Sequence, residues 1–250
     1  MNRLVPIPLT PGFLYSRPMS SHIIAISLGG SIIAPRGVDV DFVSGFVRLV
    51  EGHLSRNPDA RLIVVCGGGG LARDYQAALR GIRPDATSED QDWVGVAATR
   101  VNGELVRRAF GRLCGEDLVI DPTAVTVFAG KVLVAAGWKP GFSTDNDAVV
   151  LAQRFSADTV INLSNIAKVY TGDPRTDPNA RPMDRLAWKE MLELVGGPWS
   201  PGKNTPFDPT AARSAAASRI RVIVAAGRDL ENLSRILAGE AFVGTTIGPD

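Results

Sequence analysis

Residues 137–178 carry the decisive stretch. It runs Gly137-Trp-Lys-Pro-Gly-Phe-Ser-Thr-Asp-Asn-Asp147, an apolar helical run, Asp158-Thr-Val-Ile-Asn-Leu-Ser-Asn165, then Ile166-Ala-Lys-Val-Tyr-Thr-Gly-Asp-Pro-Arg-Thr-Asp-Pro178. A glycine-bearing loop opens a helix whose first turn holds Ser143, Thr144 and Asp145. N–H groups left unpaired at a helix start can bind a phosphate, and the helix dipole favours its negative charge. Ala157–Leu163 reads as a buried strand, and Ser164–Pro174 leaves from its C-terminal end. Ligands of open α/β sheets sit at such ends. The two loops are thus placed to clamp a phosphorylated ligand from two sides. An ordinary βαβ unit with polar loops would read the same over this stretch alone.

Two upstream segments repeat the pattern. His22–Leu28 is a near-continuous apolar run, as expected for a strand covered on both faces, and Gly29-Gly30-Ser31 follows at once. Adjacent glycines let the backbone approach an anion closely and offer N–H groups as a nest. Arg61–Cys66 is a second buried strand that ends in Gly67–Gly70 and opens a helix at Leu71-Ala-Arg-Asp. Three glycine loops at strand ends in one chain point to a polyphosphate site. Neither the GxGxxG fingerprint nor the GxxxxGK[ST] loop is present, which counts against a nicotinamide enzyme and a P-loop enzyme.

The remaining elements alternate. Asp39–Arg56 is amphipathic, with Phe42, Val43, Phe46, Val47, Val50 and Leu54 at helical spacing. A long helix is expected over 89–113, with Ser88 as its N-cap. Leu118–Ile120 and Val132–Ala135 read as short strands, the latter leading into the Gly137 loop. Beyond the Asp-Pro segment come a helix over Trp188–Val195, a loop over Gly196–Pro209 and a helix over Ala211–Ser218. A strand at Arg221–Ala225, a helix over Leu230–Leu237 and a closing strand at Phe242–Ile247 follow. The alternation predicts a mainly parallel sheet with helices on both faces.

Of the 250 residues, 45% are apolar and 21% charged, ordinary for a chain that buries a substantial core. Against 27 basic residues stand 26 acidic ones, so the excess that a nucleic-acid or membrane-surface binder needs is missing. No apolar run is long enough for a membrane helix. Two cysteines, Cys66 and Cys114, are too few for a disulfide framework, which suits a reducing cytoplasm. Pro6, Pro8, Pro11, Gly12 and Pro18 set residues 1–21 apart as a flexible arm, and 22–250 are expected to form a single domain.

These residues resemble the amino acid kinase family, most closely its archaeal-type uridylate (UMP) kinases. The resemblance runs from about His22 to Pro249 through Ile26-Ser-Leu-Gly-Gly-Ser31, Val64-Val-Cys-Gly-Gly-Gly69 and Leu71-Ala-Arg73. It continues in Asp92-Trp-Val-Gly95, Thr99-Arg-Val-Asn102 and Pro140-Gly-Phe-Ser-Thr-Asp145. Leu163-Ser-Asn165, Val169-Tyr-Thr-Gly-Asp-Pro174, Phe207-Asp-Pro-Thr-Ala-Ala212 and Gly244-Thr-Thr-Ile-Gly-Pro249 complete it. The segment Val169–Pro174 is highly specific for the family.

The resemblance implies a three-layer αβα sandwich around a mainly parallel open sheet. It implies ATP-dependent transfer of a phosphoryl group to UMP, giving UDP, with ATP and Mg²⁺ as cofactors. The N-terminal half would hold the acceptor and the C-terminal half ATP. Gly68, Asp92 and the loop Gly137, Trp138, Lys139, Pro140, Gly141, Phe142, Ser143 would meet the acceptor. Gly29, Gly30, Ser31, Gly69, Arg73, Ser164, Asn165, Tyr170 and Asp173 would meet ATP. Related uridylate kinases assemble as hexamers, implying a homo-oligomer.

Phosphoryl transfer needs two phosphates held in line and the moving charge neutralised. Arg73 can reach a phosphate with a bidentate fork, or pair with a neighbouring acid. Asp145 can position a loop or a lysine, or serve as a first-turn cap. Asp92 is a candidate for ribose hydroxyls or for helix-start stabilisation; Tyr170 can pack on adenine or be a strand aromatic. Mg²⁺ would be carried mainly by the phosphates, so no protein metal ligands are assigned. Lys168 and Ala167 stand where many relatives carry a glycine and an acid, and no lysine flanks Gly29-Gly30. Lys139, or alternatively Lys168, supplies the missing cation, and Lys139 is preferred because its loop faces the phosphate. Two other readings stay open. One is a kinase of this fold with another small acceptor, such as an amino-acid carboxylate, a carbamate or an isoprenoid phosphate. The other is a nucleotide- or oxyanion-binding protein without turnover.

Overall fold

Near-continuous apolar runs form the middle of the sheet. In the computed structural model, which describes residues 23–174, 176–196 and 205–249, these are β1 (Ile23–Leu28), β2 (Arg61–Cys66), β4 (Thr159–Ser164) and β8 (Arg221–Ala226). With β3 (Val132–Ala135), β7 (Arg185–Leu186) and β9 (Thr245–Ile247) they make one seven-stranded sheet in the order β3-β2-β1-β4-β8-β9-β7. Pairing is parallel except between β8 and β9, where Val222 faces Ile247 and Val224 faces Thr245. The arm expected over 1–21, and residues 197–204 of the expected loop, lie outside the described residues.

Both faces of the sheet are covered, and the alternation of side chains along each strand divides the core in two. Ile24, Ile26, Leu28, Leu62, Val64 and Cys66 face one layer, built from α1 (Gly30–Ile33), α2 (Val40–Arg56), α4 (Ser88–Phe110) and α8 (Leu230–Ala238). Ala25, Ile63, Val65 and Leu133 face the other, built from α5 (Thr144–Arg154), α6 (Trp188–Leu194) and α7 (Pro209–Ala217). The apolar stripe predicted for α2 is buried, with Phe46 stacked on Phe42 and meeting Phe110 edge to face. A two-stranded ribbon, β5 (Val169–Tyr170) with β6 (Pro182–Met183), stands beside the main sheet. Among the described residues no helix is long and apolar enough to cross a membrane.

The structure corrects some boundaries. The N-cap of α4 is Thr87, one residue before the expected Ser88: its hydroxyl accepts the Asp90 N–H while Asp90 accepts the Thr87 N–H, a reciprocal capping box. That helix ends at Phe110, and Gly111–Leu113 continues as one 3₁₀ turn. The expected strand at 118–120 is reduced to a single bridge between Val119 and Ala135, and the closing strand is confined to Thr245–Ile247.

The strand order reverses at β1, which is flanked by β2 on one side and β4 on the other. At such a switch point the connections leave the two strand ends in opposite directions and open a crevice beyond them. The Gly29 N–H donates to the Leu163 carbonyl and the Gly67 N–H to the Leu28 carbonyl, so three strand ends are joined at this crevice.

Candidate active site

The first two glycine loops interlock. A methyl group on Gly30 would come within 2.1 Å of the Gly69 nitrogen, and one on Gly69 within 2.2 Å of the Gly30 carbonyl oxygen. Gly69 also holds φ at +63°, a conformation side chains resist. The loops therefore touch backbone to backbone. Helix α1 starts at Gly30 and α3 (Gly69–Ile82) starts beside it, so two sets of first-turn N–H groups converge. Arg73 joins them: its guanidinium donates to the Ser31 hydroxyl at 3.0 Å and to the Pro35 carbonyl at 3.1 Å, leaving the group exposed at the nest.

Helix α4 ties this nest to the loop before α5. The Asn102 side-chain amide donates to the carbonyls of Gly67 (2.8 Å) and Gly68 (3.1 Å). One turn earlier the buried Thr99 hydroxyl accepts the Gly137 N–H at 2.7 Å and donates to the Val96 carbonyl at 2.6 Å. At the start of the helix Asp92 accepts the Gly141 N–H at 3.1 Å. Between these anchors lies a cavity of about 250 Å³ bounded by Gly68, Asp92, Lys139, Phe142 and Ser143. Pro140 and Gly141 form the tip of the loop, with Gly141 at φ +79°.

Within the loop, the Trp138 and Phe142 rings meet edge to face at 4.8 Å, and the Lys139 ammonium rests 3.8 Å from the Trp138 centroid and 5.0 Å from that of Phe142. A cation over such a face gains roughly 0.5–2 kcal/mol. Lys139 therefore faces the cavity from a defined seat. Lys168 is engaged elsewhere, in an ion pair with Asp184.

Behind the loop lies a group of acids. Asp145 accepts the Ser27 hydroxyl at 2.7 Å and the Asp208 N–H at 3.3 Å, which links α5 to β1 and to the start of α7. Burial, with the Asp208 charge adding to it, pushes Asp145 up to about 6 despite the Ser27 hydrogen bond. Asp147 is fully buried; its Oδ2 accepts the Trp138 N–H at 3.1 Å and its Oδ1 has no hydrogen-bond partner. Burial, then the charges of Asp145, Asp121 and Asp208, raise Asp147 to about 7. The Ser143 hydroxyl caps α5 by accepting the Asn146 N–H at 3.2 Å, so neither acid is needed as the cap.

The residues assigned to ATP fall in two places. Gly29, Gly30, Ser31, Gly69 and Arg73 gather at the crevice, and Ser164 ends β4 beside Gly29. Asn165 is exposed on the following loop, Tyr170 lies in β5, and Asp173 sits in the turn beyond, where its carbonyl accepts the Thr176 and Asp177 N–H groups. Sequence reasoning assigned no role to Ser27, Thr99, Asn102 or Asp147. Thr99 and Asn102 do stand three apart within a family motif, a spacing that puts both on one helix face. Among the described residues no group of three His, Cys, Asp or Glu side chains is arranged to hold a metal ion.

The model of the amino acid kinase family matches residues 22–226. A uridylate kinase of Methanospirillum hungatei is 35% identical over 227 residues, covering 90% of this chain and 94% of that protein. One from Thermoplasma acidophilum is 34% identical, covering 91% and 97%. The crystal structure of a uridylate kinase from Archaeoglobus fulgidus superposes with a TM-score of 0.75 at 32% identity, covering 90% of this chain and 99% of that one. An aspartate kinase of Synechocystis, at 18% identity and a TM-score of 0.67, shares the fold.

Proposed function

Since the chain belongs to the amino acid kinase family, we propose that it transfers the terminal phosphoryl group of ATP to UMP, producing UDP and ADP. The observation that carries this reading is the shared wall at Gly68, which belongs to the interlocked glycine nest and also lines the cavity bounded by Lys139 and Ser143. A donor phosphate on the nest and an acceptor phosphate in that cavity would be neighbours. Positioning and charge neutralisation are most of what this chemistry asks of a protein.

Gly30, Ser31, Gly69 and Arg73 hold the donor phosphates. Ser164, Asn165, Tyr170 and Asp173 receive the rest of ATP, so within one domain the C-terminal half takes the nucleoside end of the donor, the N-terminal half the acceptor, and the donor phosphates lie where the two halves meet. Mg²⁺ travels with the phosphates and neutralises their charge. Lys139 is the catalytic cation, meeting the acceptor phosphate from its seat on the Trp138 face. Asp145, tied to Ser27 and Asp208, positions the α5 start. Asp92 is committed to the Gly141 N–H, so it shapes the acceptor cavity by holding the loop.

We also assign a homo-oligomer. Tyr75 and Ile82 on α3 and Trp93 and Val101 on α4 are 62%, 83%, 47% and 61% exposed, large apolar side chains that a second copy would cover. The two free thiols, Cys66 and Cys114, fit a cytoplasmic setting.

The test is ADP release with Mg·ATP and a panel of UMP, CMP, dTMP, aspartate, glutamate and carbamate. Turnover with UMP at about 1–1000 per second, and none with the amino acids or carbamate, is expected. Lys139→Ala should lower kcat/KM about 10- to 100-fold, the loss of one charge-assisted contact. Tight ATP binding with no turnover on any acceptor would overturn the reading.

A further inference from the structure

Asp147 has a role that helix capping does not explain. It is fully buried, the α5 cap is already supplied by Ser143, and one of its two oxygens has no hydrogen-bond partner. Such an oxygen is costly where an asparagine or serine would accept the same N–H at less expense. Its other oxygen accepts the Trp138 N–H, while Arg100 from α4 donates to the Trp138 carbonyl at 3.2 Å. Both backbone polar groups of Trp138 are therefore clamped, and Trp138 is the platform on which Lys139 rests.

We propose that Asp147 is a positioning residue for phosphoryl transfer, holding the Trp138–Phe142 platform and thereby the Lys139 ammonium at the acceptor cavity according to its own protonation state. Ionised, it accepts the Trp138 N–H in a charge-assisted bond; protonated, it keeps only a neutral one, roughly half as strong. The groups facing it are Asp145 on its own helix, Asp121 from the segment before β3 and Asp208 at the start of α7. Arg100 approaches from α4 through the Trp138 carbonyl, and its buried Nε has no hydrogen-bond partner. Burial and the three acids bring the change of state close to neutrality. The loop should tighten as pH rises through that range.

This inference rests on the acceptor-loop reading above, so its test has a part that needs no nucleotide. The emission of Trp138, obtained as wild type minus Trp138→Phe, should titrate with a midpoint within about one unit of neutrality, and Asp147→Asn should abolish the transition. In turnover, the ratio of KM for UMP in Asp147→Asn to that in wild type should be near one at about pH 6 and rise about fivefold by about pH 8. Ionisation of UMP cancels in that ratio. A flat ratio, or a Trp138 emission that does not move with pH in the wild type, would overturn the proposal. If Asp147→Asn does not fold, the same titration on Asp145→Asn decides: a transition that persists there supports the proposal and one that vanishes overturns it, while an inactive enzyme with a normal titration would implicate the kinase reading instead.

Discussion

Replacing Thr99 by valine separates the acceptor loop from its anchor with almost no change in side-chain volume. Thr99 is 8% exposed, and its hydroxyl is the acceptor for the Gly137 N–H at 2.7 Å. In Thr99→Val a methyl group replaces that oxygen, and a carbon cannot stay so close to an amide nitrogen, so the loop recedes. The orphaned N–H costs about 1–3 kcal/mol. The Val96 carbonyl stays satisfied within the helix and adds little. For a protein of this size about 1 kcal/mol corresponds to a 2–4 °C shift, so Tm should fall by roughly 3–10 °C. The acceptor side should suffer more than the donor side: KM for UMP should rise about tenfold, since roughly 1.4 kcal/mol is a factor of ten, while KM for ATP stays within about twofold. Thr99→Ser retains the hydroxyl and should restore both. Differential scanning calorimetry and two-substrate kinetics on the three proteins give the answer. A valine variant with unchanged Tm and KM for UMP would refute the view that Thr99 holds the loop, and equal losses for UMP and ATP would refute its selectivity for the acceptor side.

Gly30→Ala should abolish measurable turnover and lower Tm, because the added methyl falls 2.1 Å from the Gly69 nitrogen and must drive the two loops apart; forced overpacking of this kind costs about 1–3 kcal/mol or more. Wild-type ATP affinity in that variant, measured by calorimetry, would contradict it. Asp145 makes a pH prediction. Its carboxyl is raised from 3.8 to about 6, so the fold binds that proton more tightly than the unfolded chain does, and the associated stability is complete at acid pH and lost as pH rises through about 6. The stability of Asp145→Asn relative to wild type should therefore improve between about pH 5 and about pH 8. Denaturant titrations at the two values check this, and an unchanged difference would show that the carboxyl is not held up in the fold.

Much of this architecture was legible because it is periodic. Continuous apolar runs ending in glycine gave β1, β2 and their loops, and the spacing of Phe42, Phe46 and Val50 gave α2. Short strands were harder, since Leu118–Ile120 has the composition of a strand but only Val119 finds a partner. In the site, residue types suited to meeting a phosphate announce themselves as glycine, arginine and lysine. The residues that hold those loops do not. Ser27 meets Asp145 across 118 positions, and Thr99 meets Gly137 across 38, distances over which no local pattern carries information. Lys168 and Lys139 look equivalent as loop lysines; what separates them is an acid, Asp184, brought alongside one and an indole set beneath the other.

Four anchor points on α4 hold the two loops: Asn102 the glycine nest, and Asp92, Thr99 and Arg100 the loop before α5. A stiff rod attached to two objects makes their errors common-mode. When α4 rocks or slides as a unit, nest and loop travel with it, and the gap between them keeps its width. Bending of the helix between residues 92 and 102, or release of one anchor, alters that gap. The helix acts as a gauge block: its internal rise of about 1.5 Å per residue sets the spacing of the two loops, and thermal drift of the surrounding layers largely drops out.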